Sequence, residues 1–369
     1  MYSIWLNDEM IWYQGSNGPD FALSEITLEE EVNKAGSLQF TIPVTNTHYN
    51  AVKTGKMYAD VCVKYAYFKG VTEDIMWRGR ILYDERNFDN SRKVYCEGQL
   101  SFLMDSVVRS YSETLTPKEM LRFYLDQHNA QVKTNQQFLM GSTSSVYSDS
   151  TIYRASTQYP TTFNEITEKL LNTVGGYLIP EYVTDQDKWK INYLSEYNRR
   201  WTPYDINFGE NLLDVSITVT GEDYYNRIIP LGATDQTTGE KLTIKSVTIG
   251  GVDYIETNIN GIDTVSKVVE WDDVTNAVDL YELAQRDLSN HNDLTVNYKI
   301  NAISAHYFVI SDQANVKRIM LGDMVHVKSE PHDLDLDMMV TKINHNLEDP
   351  SQTEYTFGAS LKTLSDYYL

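Results

Sequence analysis

Residue types that carry out catalysis are scattered along this chain. Histidine is the most common catalytic base near neutral pH, and the seven histidines include no His-x-His pair: they are His48, His128, His291, His306, His326, His332 and His345. A hydrolytic zinc site needs three protein ligands and an open position, and distant segments would have to supply them. The sequence also lacks a Gly-x4-Gly-Lys-Ser/Thr loop, a His-Glu-x-x-His helix and a Cys-x-x-Cys pair. We therefore expect no catalytic residues, no bound metal and no cofactor.

An acidic segment near the C-terminus superficially resembles a calcium loop. Asp333, Asp335 and Asp337 alternate along the chain, but such a loop needs Gly at its sixth position and Glu at its twelfth. Met338 and Asn344 stand at those positions. Alternation of aspartate with leucine instead predicts a β-strand with its carboxylates in water, and a metal site shared between subunits remains the alternative.

The other candidates have an ordinary structural interpretation as well. Any two of the 52 acidic residues could meet at the distance of about 5–9 Å that glycoside hydrolysis requires, and nothing singles out a pair. Tyr147, Tyr153 and Tyr159 could stack on sugars or contact a partner protein, although tyrosines more often serve packing. Cys62 and Cys96 lie in strand-like segments, where they could face each other across one barrel or remain buried as thiols, the interpretation we favour.

Composition points to a β-rich protein with an acidic surface. Aromatic residues make up 12% of the 369 residues, with 27 tyrosines, and aromatic and β-branched residues favour strands. The net charge is −21, which argues against stable nucleic-acid binding because such proteins neutralise phosphates with Lys and Arg. Ordinary solubility would explain the same charge. The sequence shows no signal peptide and no apolar segment of membrane-spanning length, so we expect synthesis in the cytoplasm and no membrane insertion.

The end of the chain repeats its beginning. The repeated segments are residues 60–64, 76–82 and 94–105 in the first copy and residues 323–328, 338–344 and 354–366 in the second. The marker positions are Gly79, Gly98, Leu103 and Asp105 in the first copy and Gly322, Asp323, Gly358, Leu364 and Asp366 in the second. Copies of a supersecondary unit commonly pack side by side. Two equivalent β-units per chain could place six units in a ring if three chains assemble.

Between the copies the pattern changes to mixed helix and strand. Thr116 and Glu119 form a capping box ahead of a helix, Thr162 and Glu165 form a second one, and Gly175 and Gly176 end the second helix. Residues 177–179 and 189–193 predict a hairpin around a turn at 184–187, and residues 141–145 predict a mobile loop. A third helix is predicted over residues 274–288.

These patterns predict a mainly β fold with α+β insertions, in which the chain forms two β-barrels. We expect a first barrel over residues 1–105 and an α+β domain over residues 106–205. Residues 206–234 and 296–369 would form the second barrel, and residues 235–295 an inserted segment with one helix.

In their order, six segments resemble the tail hub of bacteriophages. This family includes the baseplate hub of contractile phages and the N-terminal module of tail-associated, or prophage endopeptidase tail, proteins. The segments are 36–43 (Gly-Ser-Leu-Gln-Phe-Thr-Ile-Pro), 77–81 with 98–105, 211–217 with 226–232, 321–327 (Leu-Gly-Asp-Met-Val-His-Val), 347–351 and 356–359 (Thr-Phe-Gly-Ala). None is specific alone, but together they cover nearly the whole chain.

The resemblance implies a homotrimer with two tail-tube-like barrels per chain, which forms a pseudo-sixfold ring at the virion tail tip. The expected partners are other copies of the chain, the tail tube, the distal tail protein, and receptor-binding or tail-fibre proteins, and DNA would pass the ring. Many relatives continue into a cell-wall-degrading domain, whereas this sequence stops at Leu369. We therefore expect a structural hub without enzymatic activity, and a peptidoglycan-degrading endopeptidase is the alternative.

Overall fold

The computed structural model describes residues 1–16, 18–54, 60–65, 74–144, 151–183, 188–194, 202, 205–257, 263–292, 294–302 and 319–359. The helices and strands in the first part of the chain are β1 Tyr2–Leu6, β2 Glu9–Tyr13, β3 Ser24–Glu31, β4 Ser37–Ile42, β5 Asp60–Tyr65, β6 Asp74–Arg86, β7 Arg92–Gly98, β8 Tyr111–Leu115, α1 Pro117–Asn129, β9 Phe138–Ser144, β10 Ile152–Ser156, α2 Thr162–Ile166, β11 Tyr177–Val183 and β12 Lys188–Leu194. They continue with β13 Ile206–Asn207, β14 Leu212–Thr220, β15 Arg227–Leu231, β16 Ile255–Glu256, β17 Ser266–Glu270, α3 Ala277–His291, β18 Thr295–Ala302, β19 Met324–Ser329, β20 Leu334–Asn346 and β21 Glu354–Ala359. The fold is mainly β with α+β insertions, as the sequence predicted.

The chain divides into two compact units. Unit 1 comprises Met1–Phe102, Tyr197–Ser216 and Tyr298–Gly358, and unit 2 comprises Leu103–Glu196, Ile217–Asn297 and Ala359–Leu369. Unit 1 is built on a 13-stranded sheet, whose strands follow the order β14-β18-β21-β20-β3-β4-β7-β6-β5-β1-β2, with β19 paired to β20 and β13 paired to β19.

The repeat suspected from the sequence extends over five strands of this sheet. In the first copy, strands β3 to β7 lie in the order β3-β4-β7-β6-β5. In the second copy, β14 and β18 to β21 lie in the order β14-β18-β21-β20-β19, so each strand has a counterpart in the same chain order. The long central strands β6 and β20 both have 13 residues. The second copy differs by the segment inserted between β14 and β18.

The first copy has an apolar core in which every second residue of a strand is buried, as a half-buried sheet requires. Ile26 and Leu28 of β3, Leu38 and Phe40 of β4, and Trp77 of β6 belong to this core. Cys62 and Cys96 are buried and form no disulfide, as predicted. Burial raises the pKa of the Cys96 thiol.

Unit 2 contains small sheets and helices. Helix α1 begins at the predicted capping box, in which the Thr116 side chain accepts from the Glu119 amide and the Glu119 side chain accepts from the Thr116 amide. Strands β11 and β12 form the predicted antiparallel hairpin, and its turn at 184–187 lies outside the described residues. None of the described helices is both long and apolar enough to cross a membrane.

Three element boundaries differ from the sequence prediction. The second helix is capped by Thr161 instead of Thr162, because the Thr161 hydroxyl accepts from the Asn164 amide. The third helix begins at Ala277 instead of residue 274, because the Asn276 side chain caps it by accepting from the Val278 amide.

The third difference is at residues 141–144, which belong to strand β9 and not to a mobile loop. This strand pairs in parallel with β12, where the Ser142 amide donates to Asn192 Oδ1 over 2.8 Å. Gly141 permits the approach, because a methyl group there would lie 2.8 Å from the Ile191 carbonyl oxygen.

One strand expected in the second barrel pairs elsewhere. Strand β15 lies between β16 and β17 in a separate three-stranded sheet. Tyr225 and Ile228 pack there against Ala284 and Leu288 of α3. The apolar face of α3 therefore holds this strand within unit 2.

Candidate functional site

Two of the repeat glycines pack against a buried tryptophan. Gly79 of β6 and Gly98 of β7 are direct partners across the two strands, and a methyl group at either position would collide with a backbone carbonyl oxygen, of Glu97 or of Ala35. The Gly98 amide donates to the carbonyl of Gly36 over 3.1 Å. The absence of side chains thus lets the chain close on Trp77, which is 5% exposed.

Gly358 lies in β21, the counterpart of β7, but its surroundings differ from those of Gly98. It is half-buried, and a methyl group there would lie 3.0 Å from the side-chain methyl of Thr341. Gly98 and Gly358 thus lie near the ends of equivalent strands and make different contacts.

Gly322 and Asp323 form the turn into β19. Gly322 has a φ of 81°, which glycine adopts without strain, and its amide donates to the Val340 carbonyl over 2.8 Å. The buried carboxylate of Asp323 accepts from the Met320 amide over 2.8 Å. These two residues fix where the second copy's edge hairpin begins.

The remaining repeat positions follow the last strand of each copy. Leu103 is fully buried in the 3₁₀ segment Gln99–Asp105, and Asp105 Oδ2 accepts from Gln136 Nε2 over 3.1 Å. Their predicted counterparts, Leu364 and Asp366, lie outside the described residues. The assignment of all nine positions as markers of a structural repeat stays a prediction.

The two copies are joined by direct pairing of β20 with β3, which we call the seam. The pairing is antiparallel and runs from Lys342 opposite Glu31 to Asn346 opposite Thr27. Lys342 Nζ lies 2.9 Å from Glu29, and His345 Nε2 lies 2.8 Å from Glu30. Charge complementarity therefore holds the two copies in register.

A leucine completes the seam. Leu347 directly follows β20, is fully buried, and belongs to the apolar core of the first copy. Its amide donates to the Ile26 carbonyl over 3.3 Å. The seam was not predicted from the sequence. The run Glu29-Glu30-Glu31 in an otherwise amphipathic strand was a signal that a neighbouring strand supplies basic side chains.

Strand β14 exposes an apolar row at the end of the sheet. Leu213, Ile217 and Val219 are 51%, 42% and 53% exposed, and with Val215 they alternate along one face of the strand. Among the described residues, its ladder partner is β18. An exposed apolar edge strand is a template for pairing with another chain.

Unit 2 contains a buried serine–histidine pair that superficially resembles a hydrolase site. Ser106 Oγ lies 2.7 Å from His128 Nδ1 and 2.7 Å from Thr162 Oγ1. His128 Nε2 lies 2.9 Å from the Gln136 carbonyl, which can only accept, so Nε2 carries the proton and Nδ1 accepts from Ser106. Burial lowers the pKa of His128. Because Ser106, His128 and Thr162 are all buried, the pair holds α1 and α2 together and offers no nucleophile to a substrate.

A buried glutamate lies near this pair. The Tyr111 hydroxyl donates to Glu165 Oε1 over 2.5 Å and lies 2.7 Å from the Tyr124 hydroxyl. Burial raises the pKa of Glu165, partly offset by the Tyr111 hydrogen bond. Glu165 was expected to cap a helix and instead links that helix to β8.

Unit 2 also has a cleft of about 300 Å³ lined by Arg154, Lys169, Trp271, Asp273 and Arg286, among others. Its charges pair with their neighbours: Lys169 Nζ lies 3.1 Å from Asp273, and Arg286 donates to the Thr173 carbonyl over 2.6 Å. With three basic and four acidic side chains in its lining, the cleft carries little net charge.

Two carboxylates of the acidic segment lie on the exposed side of a strand, as the alternation with leucine predicted. Asp335 and Asp337 are exposed on β20 and flank His326, with distances of 3.1 and 2.8 Å, and the Asp337 hydrogen bond raises the pKa of His326. No group of His, Cys, Asp and Glu in the described part of the chain could hold a metal ion. Tyr153 is half-buried and Tyr159 is exposed, while Tyr147 lies outside the described residues.

Comparison with known proteins agrees with the repeated sheet. Residues 203–368 match the family described as prophage endopeptidase tail. The C-terminal part of the chain is therefore similar to this family of phage tail proteins. No curated protein matches the chain.

The phage tail fold also covers the N-terminal half. A tail protein from Neisseria meningitidis MC58 is similar, with a TM-score of 0.62, 13% identity and coverage of 97% of each chain. The 43 kDa tail protein of prophage MuSo2 from Shewanella oneidensis has a TM-score of 0.60 and 12% identity, again over 97% of each chain. The prophage tail protein gp18 from Listeria monocytogenes EGD-e has a TM-score of 0.58 and 14% identity, over 99% of this chain and 96% of that one. The resemblance noted in the sequence is confirmed.

Proposed function

We propose that this phage tail protein is a structural hub, which forms a homotrimeric, pseudo-sixfold ring at the distal end of the tail tube. The observation that carries the proposal is the five-strand order shared by β3–β7 and by β14 with β18–β21. Three chains with two equivalent β-units each would present six units to a tube. The predicted barrels, residues 1–105 and the joined pieces 206–234 and 296–369, are part of this proposal, with β15 as the element that pairs elsewhere.

In this role the ring would dock the distal tail protein and the receptor-binding or tail-fibre proteins. It would sit at the virion tail tip after synthesis in the host cytoplasm. Duplex DNA would pass without stable binding, because the net charge of −21 disfavours contact with phosphates. Measurable binding of duplex DNA at physiological salt would contradict this part of the proposal.

Native mass and low-resolution imaging test the ring. We expect a species of three chains whose projections show a ring with six similar lobes, since a heterologous contact that closes on itself forms a cyclic oligomer. A stable twofold dimer at every protein concentration would refute the proposal.

We propose no enzymatic activity for this chain. The pair Ser106 with His128, which superficially resembles a hydrolase site, is buried and lacks access for a substrate. A zymogram on cell walls should show no clearing. Clearing that a single Ser106→Ala or His128→Gln substitution abolishes would favour the endopeptidase alternative.

A further inference from the structure

The seam within one chain shows how a β-unit of this protein contacts its neighbour. In β20, the first half pairs with β19 up to Met339, and the second half, Lys342 to Asn346, pairs with β3. Leu347, just beyond β20, then enters the core beside Ile26 and Leu28. One unit therefore donates the second half of a long strand and an apolar tip to the first strand of the next unit.

The same parts exist in the first copy without an acceptor among the residues that the structure describes. Strand β6 pairs with β5 up to Arg80 opposite Asp60. Its second half, from Tyr83 to Arg86, pairs with β7, and no other ladder involves it among the described residues. Tyr83 is 52% exposed.

An apolar tip also follows β6. Phe88 is fully exposed, although its turn is well ordered: the Asn87 amide donates to the Ser91 carbonyl over 2.9 Å, and the Tyr49 hydroxyl donates to the Asn90 carbonyl over 2.7 Å. A fixed turn lowers the entropy cost of docking a side chain. Phe88 stands two residues beyond β6, as Leu347 stands one residue beyond β20, but Phe88 projects into water.

The acceptor strand, β14, also has no such partner among the described residues. Strand β14 is the counterpart of β3, because each begins its copy and lies two strands from the closing strand, β21 or β7. Ile26 and Leu28 on β3 are buried, whereas the apolar row of β14 is exposed. In the order of the sheet, β14 lies at one end and β6 lies on the other side of the seam, so β6 and β14 of one chain do not pair with each other in the described residues.

We propose that the second half of β6 and Phe88 of one chain dock on β14 of a second copy of the same chain, as β20 and Leu347 dock on β3 within the chain. In antiparallel pairing, Phe88 falls near the start of β14, beside Leu213. The contact is heterologous, so its repetition closes a ring of three when each contact rotates the chain by one third of a turn. This inference rests on the proposed ring and specifies its contact.

Cysteine trapping tests the contact directly. A chain carrying both Phe88→Cys and Leu213→Cys should, on oxidation, yield covalent oligomers that end at three chains on a non-reducing gel. Cys62 and Cys96 are buried and contribute little background. The matched control carries Phe88→Cys with Ile249→Cys, since Ile249 is also fully exposed and lies outside the proposed contact; it should stay uncross-linked.

A binding measurement gives the second readout. Phe88→Ser should weaken chain association by about 10- to 100-fold in sedimentation, the loss expected for one buried phenylalanine, and Ile249→Ser should leave association unchanged. If the Phe88→Ser chain forms trimers normally and the Phe88→Cys/Leu213→Cys chain does not cross-link, the proposed contact is wrong but the ring is not refuted. A chain that remains monomeric at every concentration would overturn the ring and the contact together. Loss of binding to another tail component, with trimerisation unaffected, would assign Phe88 to that partner and overturn the proposal.

Discussion

Leu347→Ala should destabilise the large sheet by weakening the seam. Leu347 is fully buried in the core of the first copy, about 250 residues along the chain from the nearest strands it contacts. Truncation to alanine removes three carbon atoms, worth about 0.8 kcal/mol each, and adds a cavity term. We therefore expect the free energy of unfolding to fall by about 3 kcal/mol.

Amide hydrogen exchange is the appropriate assay because the chain has two compact units, and a single unfolding curve would mix them. Exchange should accelerate at the β3 and β20 amides of the seam. Leu213→Ala is the matched control, because it removes the same three carbon atoms from a half-exposed position in β14, the counterpart of β3. In the isolated chain it should lower the free energy of unfolding by less than about 0.5 kcal/mol. Equal effects of the two substitutions would refute the strand equivalence on which the interface proposal depends.

Three further substitutions probe the glycine contact and the titrating groups. Gly98→Ala should lower the free energy of unfolding, measured in urea, by about 2 kcal/mol or more, because the added methyl group meets the Ala35 carbonyl. Gly18 has open space around it, so Gly18→Ala should leave the free energy of unfolding unchanged. Burial raises the pKa of Glu165, so stability should decrease as pH rises from about 4.5 through the folded-state pKa. In thermal unfolding, Glu165→Gln should remove this dependence on pH. A dependence on pH that is unchanged in the variant would contradict the assignment. The pKa of His326 is raised by Asp337, so its contribution is complete below about pH 6.5 and is lost as pH rises through the folded-state pKa. Exchange at β19 amides should reveal that loss, and His326→Gln should abolish it; the effect should stay below about 1 kcal/mol because the pair is exposed.

Local patterns in the sequence predicted much of the fold. The alternation in β3 and the capping box at Thr116 each depend on nearby residues, and the structure confirms their elements. The paired glycines Gly175 and Gly176 were expected to end the second helix, but α2 ends at Ile166 and a π-helical segment, Thr167–Leu171, follows it. The repeat was visible because its strands recur in the same order. The errors of one to three residues at the starts of α2 and α3 arose where two polar residues competed for one cap.

The candidate interface could not be predicted in the same way. Nothing local distinguishes Leu347, which is buried, from Phe88, which is exposed, since both are apolar residues after a long strand. Their difference depends on which first strand each meets, and that pairing joins residues more than 300 positions apart. Likewise β15 looked like a sheet strand and is one, but the apolar stripe of α3 decided which sheet it joined.

The position of the insertion has a consequence for how such chains can change. Strands β14 and β18 are neighbours in the sheet, so the chain departs after Thr220 and returns at Thr295 on two strands that lie about 4.8 Å apart. A loop with fixed, adjacent ends costs little more closure entropy when it grows from tens to hundreds of residues. The same insertion point could therefore accept modules of very different size by recombination, without disturbing the strands of the large sheet.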